Sequence, residues 1–307
     1  LETTSSGINV TGAINVNGSA LSTAPTITAV ADGALVPTKG VVLQSNAKVK
    51  QVGSTFPART SPSVGGGVNG IGGNRMPSAT NAGTNRIFTI YKDETNNITR
   101  YIVSTSSGSA ASTTQLSAGQ FTLPTNNYNY WFKDTVYIGN NKVVVFIRTA
   151  DTTLSASIVT LAADGQSITQ GSWMTVESGG SAGSDAFCAV SYDTDNSRIL
   201  FVWARGSSGS ERGRYQSASF SGTTITLLGS PTYFANPSGN QVGNLEAVYD
   251  TTANKHIIGF VYEANSSRPY CFSVTTSGST TSAGALKELD TTAMRVGIQE
   301  QFAMYFD

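Results

Sequence analysis

Tyr249-Asp250-Thr251-Thr252-Ala253-Asn254-Lys255-His256-Ile257-Ile258-Gly259-Phe260 is a polar turn running into an apolar stretch, and the pattern recurs along the chain. It returns as Asn85-Arg86-Ile87-Phe88-Thr89-Ile90-Tyr91, as Asn141-Lys142-Val143-Val144-Val145-Phe146-Ile147 and as Arg198-Ile199-Leu200-Phe201-Val202-Trp203. Arg86, Lys142, Arg198 and Lys255 are spaced 56, 56 and 57 residues apart. A tyrosine ahead of the turn recurs at Tyr137, Tyr192, Tyr249 and Tyr305, spaced 55, 57 and 56 apart. Two independent landmarks keeping one period mark structural repeats. A third strand-like run follows in each unit, at 100–103, 156–159, 215–218 and 271–274, and a fourth lies near Gly119, Gly171, Gly229 and Gly284. Four short strands per unit of this length predict a β-propeller.

Composition agrees with an all-β chain. Only 12% of the 307 residues are charged, about half the average for globular domains, and Ser, Thr, Asn and 32 Gly replace them. Few good helix formers remain, while Thr, Val, Ile and aromatic residues recur in short runs between turn residues. The 19 basic and 19 acidic residues cancel without forming a patch, so neither nucleic acid nor an anionic membrane is an expected partner. No apolar run reaches the roughly 18 residues of a membrane span. The first residue, Leu1, is not Met, so the ends are not taken as natural ones. Cys188 and Cys271 each sit inside an apolar run and are expected to be small buried hydrophobes.

Ahead of the repeats the chain changes character. Residues 1–24 alternate Ile8/Val10 and Ile14/Val16 against polar neighbours, which predicts two very short strands in an attachment or assembly segment. Residues 25–57 contain Gly40-Val41-Val42-Leu43 and Ala47-Lys48-Val49-Lys50-Gln51-Val52, joined by a hairpin-sized connection. Residues 58–84, rich in Gly, Pro and Ser, read as a linker, with the propeller over 85–307. The stretch Arg75–Gly83 is a poor strand, which predicts that the first unit lacks its innermost strand. Phe302–Asp307 is a candidate to supply it, closing about four blades into a ring without a free edge; the competing expectation is that the chain is truncated and further blades follow.

Catalytic constellations are not found. His256, the single histidine, opens a core strand, whereas a Ser-His-Asp centre needs an imidazole held beside a nucleophile. Zinc needs clustered Cys and His. Asp193, Asp250 and Asp307 recur after Tyr at one repeat position, where a turn role accounts for them. Asp193-Thr194-Asp195-Asn196-Ser197 begins like a calcium loop but lacks its Gly and distal Glu. The Gly run at 65–73 lacks the Gly-Lys-Ser/Thr of a phosphate loop. The expectation is a protein without cofactor, metal or catalytic residues, not an enzyme.

In a four-stranded blade the 1-to-2 turns leave one end, and the 2-to-3 loops and blade-to-blade connections leave the other. The 1-to-2 turns here are short and alike; the opposite loops differ in length and content, which is where recognition concentrates. Tyr128, Tyr130 and Trp131 could stack on a sugar ring, and Arg205, Arg212 and Arg268 could bind carboxylate or sulfate groups.

The Tyr-Asp-Thr-x-x-Asn-Lys/Arg repeat is preceded by Gly-Ile-x-Val-Thr-Gly-x-Ile-x-Val-x-Gly at 7–18 and Ala-Asp-Gly-Ala-Leu-(x)4-Gly-Val-Val-Leu at 31–43. Together they resemble tail-fibre and other virion surface proteins of tailed bacteriophages, tail fibre or capsid decoration type. The resemblance implies homo-oligomeric assembly, a trimer among the options. It also implies attachment through residues 1–57 to other virion proteins, an extracellular particle, and contact with a host-surface glycan or protein. Two alternatives stand beside it: a structural capsid or tail cement, and a polysaccharide-degrading propeller enzyme, which would need two converging carboxylates.

Overall fold

A computed structural model describes short strands within residues 1–51, together with residues 78–81, 84–93, 96, 98–106, 113–124, 132–150, 153–178, 188–205, 212–234, 242–262 and 268–289. Every element among them is a strand or a turn. The chain divides into two compact units, 1–61 and 62–307.

In the first unit β1 (Glu2–Thr4) pairs with β2 (Gly7–Asn9), and β3 (Asn15–Val16) with β4 (Ser19–Ala20). The two strands expected around Ile8 and Val16 are thus each half of a hairpin. The expected pairing of β6 (Val41–Leu43) with β7 (Lys48–Gln51) is present, and β5 (Val30–Ala31) joins β7 in parallel.

Among the described residues the second unit contains four sheets of consecutive antiparallel strands. The first is β8 (Ser78–Asn81), β9 (Arg86–Asp93), β10 (Ile98–Ser106) and β11 (Thr113–Gln120). The second is β12 (Phe132–Tyr137), β13 (Lys142–Ala150) and β14 (Thr153–Leu161), with its outer strand split into β15 (Ile168–Gln170) and β16 (Met174–Glu177). The third is β17 (Cys188–Asp193), β18 (Arg198–Arg205), β19 (Arg212–Ser221) and β20 (Thr224–Tyr233). The fourth is β21 (Val242–Asp250), β22 (Lys255–Tyr262) and β23 (Arg268–Ser277), with β24 (Thr280–Ala283) and β25 (Lys287–Glu288) outside. First strands adjoin in chain order, β8 to β12 to β17 to β21. These are the blades of a β-propeller with inner strands side by side.

One expectation is corrected. The first sheet does not lack its inner strand: Ser78–Asn81 pairs with β9, Ala79 opposite Phe88. Its residues are poor strand formers, yet Ala79 is buried against the first inter-sheet core, so packing outweighs propensity. Ser78–Asn81, inside the stretch read as linker, is thus part of the first sheet. Residues 58–77 and the proposed closing strand 302–307 lie outside the described residues.

Both faces of a blade are buried, and the second strands show why their apolar runs are continuous rather than alternating. In β13, Val143, Val145 and Ile147 face the core shared with the first sheet, while Val144 and Phe146 face the core shared with the third. In β18, Ile199, Phe201 and Trp203 point back to the second sheet, and Leu200, Val202 and Ala204 point on to the fourth. Aromatic rings meet across these seams, Phe146 with Phe201 at 4.9 Å and Tyr215 with Phe272 at 6.1 Å.

The sequence landmarks have physical roles. The residue before each basic landmark is left-handed: Asn85 (φ 53°), Asn141 (56°), Ser197 (53°) and Asn254 (54°). Asn tolerates that conformation better than other L residues because its short side chain bonds locally. Asp193 Oδ1 accepts from the backbone N–H of Asp195 and Asn196, and Asp250 Oδ1 from those of Thr252 and Ala253, so the predicted turn role of these acids holds. The basic side chain then reaches the next blade: Arg86 Nη1 donates to Ala162 O at 3.0 Å, and Arg198 Nε to Gly278 O at 3.4 Å. The outer-strand glycines interrupt or bulge that strand. Gly171 and Gly284 separate its two halves, and Gly229 takes φ 63° at a register shift.

Gly171 also packs against the turn of the following blade. A Cβ there would lie 2.7 Å from Thr223 Cβ and 2.8 Å from Thr223 O. Gly171→Ala is therefore expected to destabilise the propeller by roughly 1–3 kcal/mol, because backbone must shift. Ser197→Asn, which places the tolerated residue in the left-handed turn, is expected to stabilise it by about 0.5 kcal/mol. Urea midpoints of the two variants against the parent check both signs.

Candidate functional site

Strand direction places the starts of third strands, the ends of second strands and the ends of outer strands at one end of the propeller. Here β16 ends on Glu177, β18 carries Trp203 near its end, β19 carries Arg214 near its start, and β20 ends on Tyr233. The four side chains converge across the seam between the second and third sheets. Glu177 accepts from the Trp203 indole N–H with Oε2 and from Arg214 Nη1 with Oε1. Arg214 lies over the Tyr233 ring, its Cζ 4.7 Å from the centroid. Glu177 and Arg214 are mostly buried and Trp203 fully so, whereas Tyr233 is 53% exposed.

The arrangement makes a fixed aromatic platform. Glu177 anchors the guanidinium, the guanidinium backs one ring face, and the rest of the ring meets solvent beside the variable connections. The charges of Glu177 and Arg214 compensate each other, so the platform carries no net charge. Its carboxylate accepts from two donors, which is the chemistry of a positioning group.

The sequence candidates are distributed around the same end. Arg205 and Arg212 are a directly opposed pair at the tip of β18 and β19. Arg268 opens β23 as Arg212 opens β19, and its Nη1 donates to Glu288 Oε1 at 2.8 Å, with Tyr270 Oη donating to Glu288 Oε2 at 3.1 Å. Arg268 is thus engaged within its own blade. Tyr128, Tyr130 and Trp131 lie outside the described residues. Sequence reasoning missed Glu177, Trp203, Arg214 and Tyr233. Trp203 ends an apolar run and reads as core, and the other three come from different strands whose register alone brings them together. The alternation Arg212-Gly213-Arg214 was the one available signal for Arg214.

The opposite end contains a buried polar seam between the third and fourth sheets. Ser191 Oγ and His256 Nδ1 are 2.7 Å apart, and both residues are buried. Tyr249 Oη donates to Asp195 Oδ2 at 3.1 Å, and Thr276 Oγ1 to Asp193 Oδ2 at 2.9 Å. Burial would raise the Asp193 pKa, but hydrogen bonds from Asn196, Tyr249 and Thr276 hold it below the ordinary range. Serine, histidine and aspartate are near neighbours here, yet Asp193 binds Thr276 and its own turn, and His256 has no solvent-facing surface. This is a structural network, as a histidine opening a core strand predicts. Cys188 is buried and Cys271 half-buried, and neither is in a disulfide.

No model of a known protein family matches the sequence, and no curated protein matches it. Among solved structures the chain is similar to a protein from Lactobacillus plantarum, with TM-score 0.48, 11% identity and coverage of 81% of this chain and 62% of that one. It is similar to the fucose-specific lectin of Aleuria aurantia with TM-score 0.40, 13% identity and coverage of 69% and 63%. It is also similar to an α-L-arabinanase of Penicillium chrysogenum, with TM-score 0.33, 12% identity and coverage of 66% and 72%. The chain spans about three fifths of the length of the first of these.

Burial pushes the His256 pKa down to about 4, against a smaller upward pull from Asp193. The unfolded chain takes up this proton near pH 6.5 and the folded chain only near 4, so stability is full above about 6.5 and falls as pH drops through that window. The loss from this group is on the order of 3 kcal/mol. Urea midpoints at pH 7 and pH 4.5 are expected to differ by far less in the double variant Ser191→Ala/His256→Leu, which removes both partners.

Proposed function

We propose that the protein is a non-enzymatic carbohydrate-binding component of a tailed-phage particle. Residues 1–57 dock onto other virion proteins, and the variable end of the propeller faces outward to bind a neutral glycan on the host surface. The observation that carries the binding reading is the half-exposed Tyr233 ring held over Arg214, itself fixed by Glu177, at the end where connections differ from blade to blade. A rigid aromatic ring with polar neighbours suits the apolar face and hydroxyls of a sugar. Charge compensation within the platform favours a neutral ligand over a uronate or sulfated one. The commitment of Glu177 to Trp203 and Arg214 supports binding without hydrolysis, since glycoside cleavage uses a pair of available carboxylates. The virion setting rests on the sequence resemblance of the repeat and of residues 7–43.

A glycan array probed with the whole chain tests the reading. It is expected to select neutral sugars, and Tyr233→Ala is expected to weaken binding to the selected glycan about tenfold, or 1.4 kcal/mol. Retention of full affinity by that variant, selection of acidic glycans only, or release of sugar fragments during incubation would each overturn it.

A further inference from the structure

The third and fourth sheets share one register at the variable end but carry different side chains there. In the third, Arg205 opposes Arg212 and Arg214 opposes Tyr233. In the fourth, Tyr262 opposes Arg268 and Tyr270 opposes Glu288. Tyr262, Arg268, Tyr270 and Glu288 therefore stand where Arg205, Arg212, Arg214 and Tyr233 stand. The seam between the third and fourth sheets thus ends in an aromatic and ionic group of its own.

The aromatic member is fixed from beneath. Tyr262 is partly exposed, and its ring lies at 84° to Tyr270 with centroids 5.8 Å apart and at 86° to Phe260 with centroids 6.4 Å apart. Tyr270 and Phe260 are buried, and Phe260 meets Phe234 of the third sheet at 5.2 Å. Tyr262 is an aromatic side chain propped against the core with surface left for a ligand.

The ionic members are accessible as well. The side chains of Arg268 and Glu288 keep 31% and 32% exposure, against 21% and 12% for Arg214 and Glu177. Glu288 accepts one hydrogen bond at each oxygen, from Arg268 Nη1 and from Tyr270 Oη, and each carboxylate oxygen has a further lone pair. Arg268 commits Nη1 to that pair, and its buried Nε has no partner among the described residues, so other guanidinium hydrogens are open to a ligand. An acceptor and a donor thus lie side by side without net charge. Two neighbouring sugar hydroxyls match them, one donating to Glu288 and the other accepting from Arg268, with the C–H face of the sugar against Tyr262. Leu286, two residues before Glu288, is 51% exposed and adds apolar surface nearby.

We propose that Tyr262, Arg268 and Glu288 form a second sugar site, at the end of the third–fourth seam, that takes a vicinal diol of a neutral sugar. The proposal rests on the sugar-binding reading of this end of the propeller. Tyr233 and Tyr262 then serve successive seams that open to the same end, so a surface displaying many copies of one glycan engages both, and the second contact forms at high effective concentration.

Tyr233→Ala isolates the second site. The whole chain with that substitution is titrated with methyl α-D-mannopyranoside, methyl α-D-glucopyranoside and methyl β-D-galactopyranoside, followed by saturation-transfer NMR. At least one is expected to bind, and adding Glu288→Gln, which keeps the side-chain shape but removes its charge, is expected to weaken binding about tenfold. An analogue of the bound glycoside lacking one hydroxyl of the diol is expected to lose affinity at least as much. The analogue needs no further substitution, so its result stands whether or not Glu288→Gln folds. The second site is refuted if none of the three glycosides binds the Tyr233→Ala chain, or if neither Glu288→Gln nor removal of the hydroxyl lowers affinity. Equal binding by the parent and by Tyr233→Ala would instead remove the Tyr233 reading alone, so the two proposals fail separately.

Discussion

The constraint on which the propeller depends is that each of its sheets is apolar on both faces and so must be covered on both. A single four-stranded antiparallel sheet with one wet face needs alternating side chains. The runs Val143-Val144-Val145-Phe146-Ile147 and Ile199-Leu200-Phe201-Val202-Trp203 do not alternate, and the structure sends odd and even members to different cores. Stacking sheet on sheet in chain order satisfies this, and inner strands side by side follow from it. The glycine breaks, the left-handed turns and the basic clips are adjustments that let neighbouring sheets approach.

This explains the division of labour between the two ends. At the 1-to-2 end every turn places a left-handed residue just before a basic one, and the third and fourth turns add a capping acid, Asp193 and Asp250, so the sequence there repeats. Asp193 shows how many duties one residue can hold: it closes its own turn and, through Thr276, ties the third blade to the fourth. The connections at the other end share no common sequence pattern. Freed from the repeat, they and the strand tips beside them are where chemistry can vary, and the Trp203, Glu177, Arg214 and Tyr233 group arises there.

Much of the fold was legible because the repeat period and the strand count are local properties. The basic landmarks open the second strands at Arg86, Lys142, Arg198 and Lys255, as the spacing implies. The innermost strand of the first blade was not legible, because Ser78-Ala79-Thr80-Asn81 gains its strand character from the core it covers and not from its own propensity. The candidate site was legible only by region. The variable end could be predicted from loop diversity, but the platform combines residues 177, 203, 214 and 233 across two blades, and only three-dimensional register joins them. Arg268, a candidate by its position beside a loop, is held by Glu288, a partner 20 residues away that no local pattern connects to it.

The same local logic bears on the flanks. A repeat built from identical seams carries no information about where to stop, so termination has to come from atypical residues at the ends, usually polar ones. The fourth sheet keeps part of the apolar set of an internal blade: Leu289 stands where Phe121, Val176 and Phe234 stand, and Ile257 where Val144 and Leu200 stand, while Gly259 takes the place of Phe146 and Val202. The first sheet likewise keeps Ile87 and Tyr91 on its leading face rather than charged replacements. Apolar residues retained on both flanks therefore follow the same two-sided pattern as the inner sheets, without the polar replacements that mark a solvent-facing end.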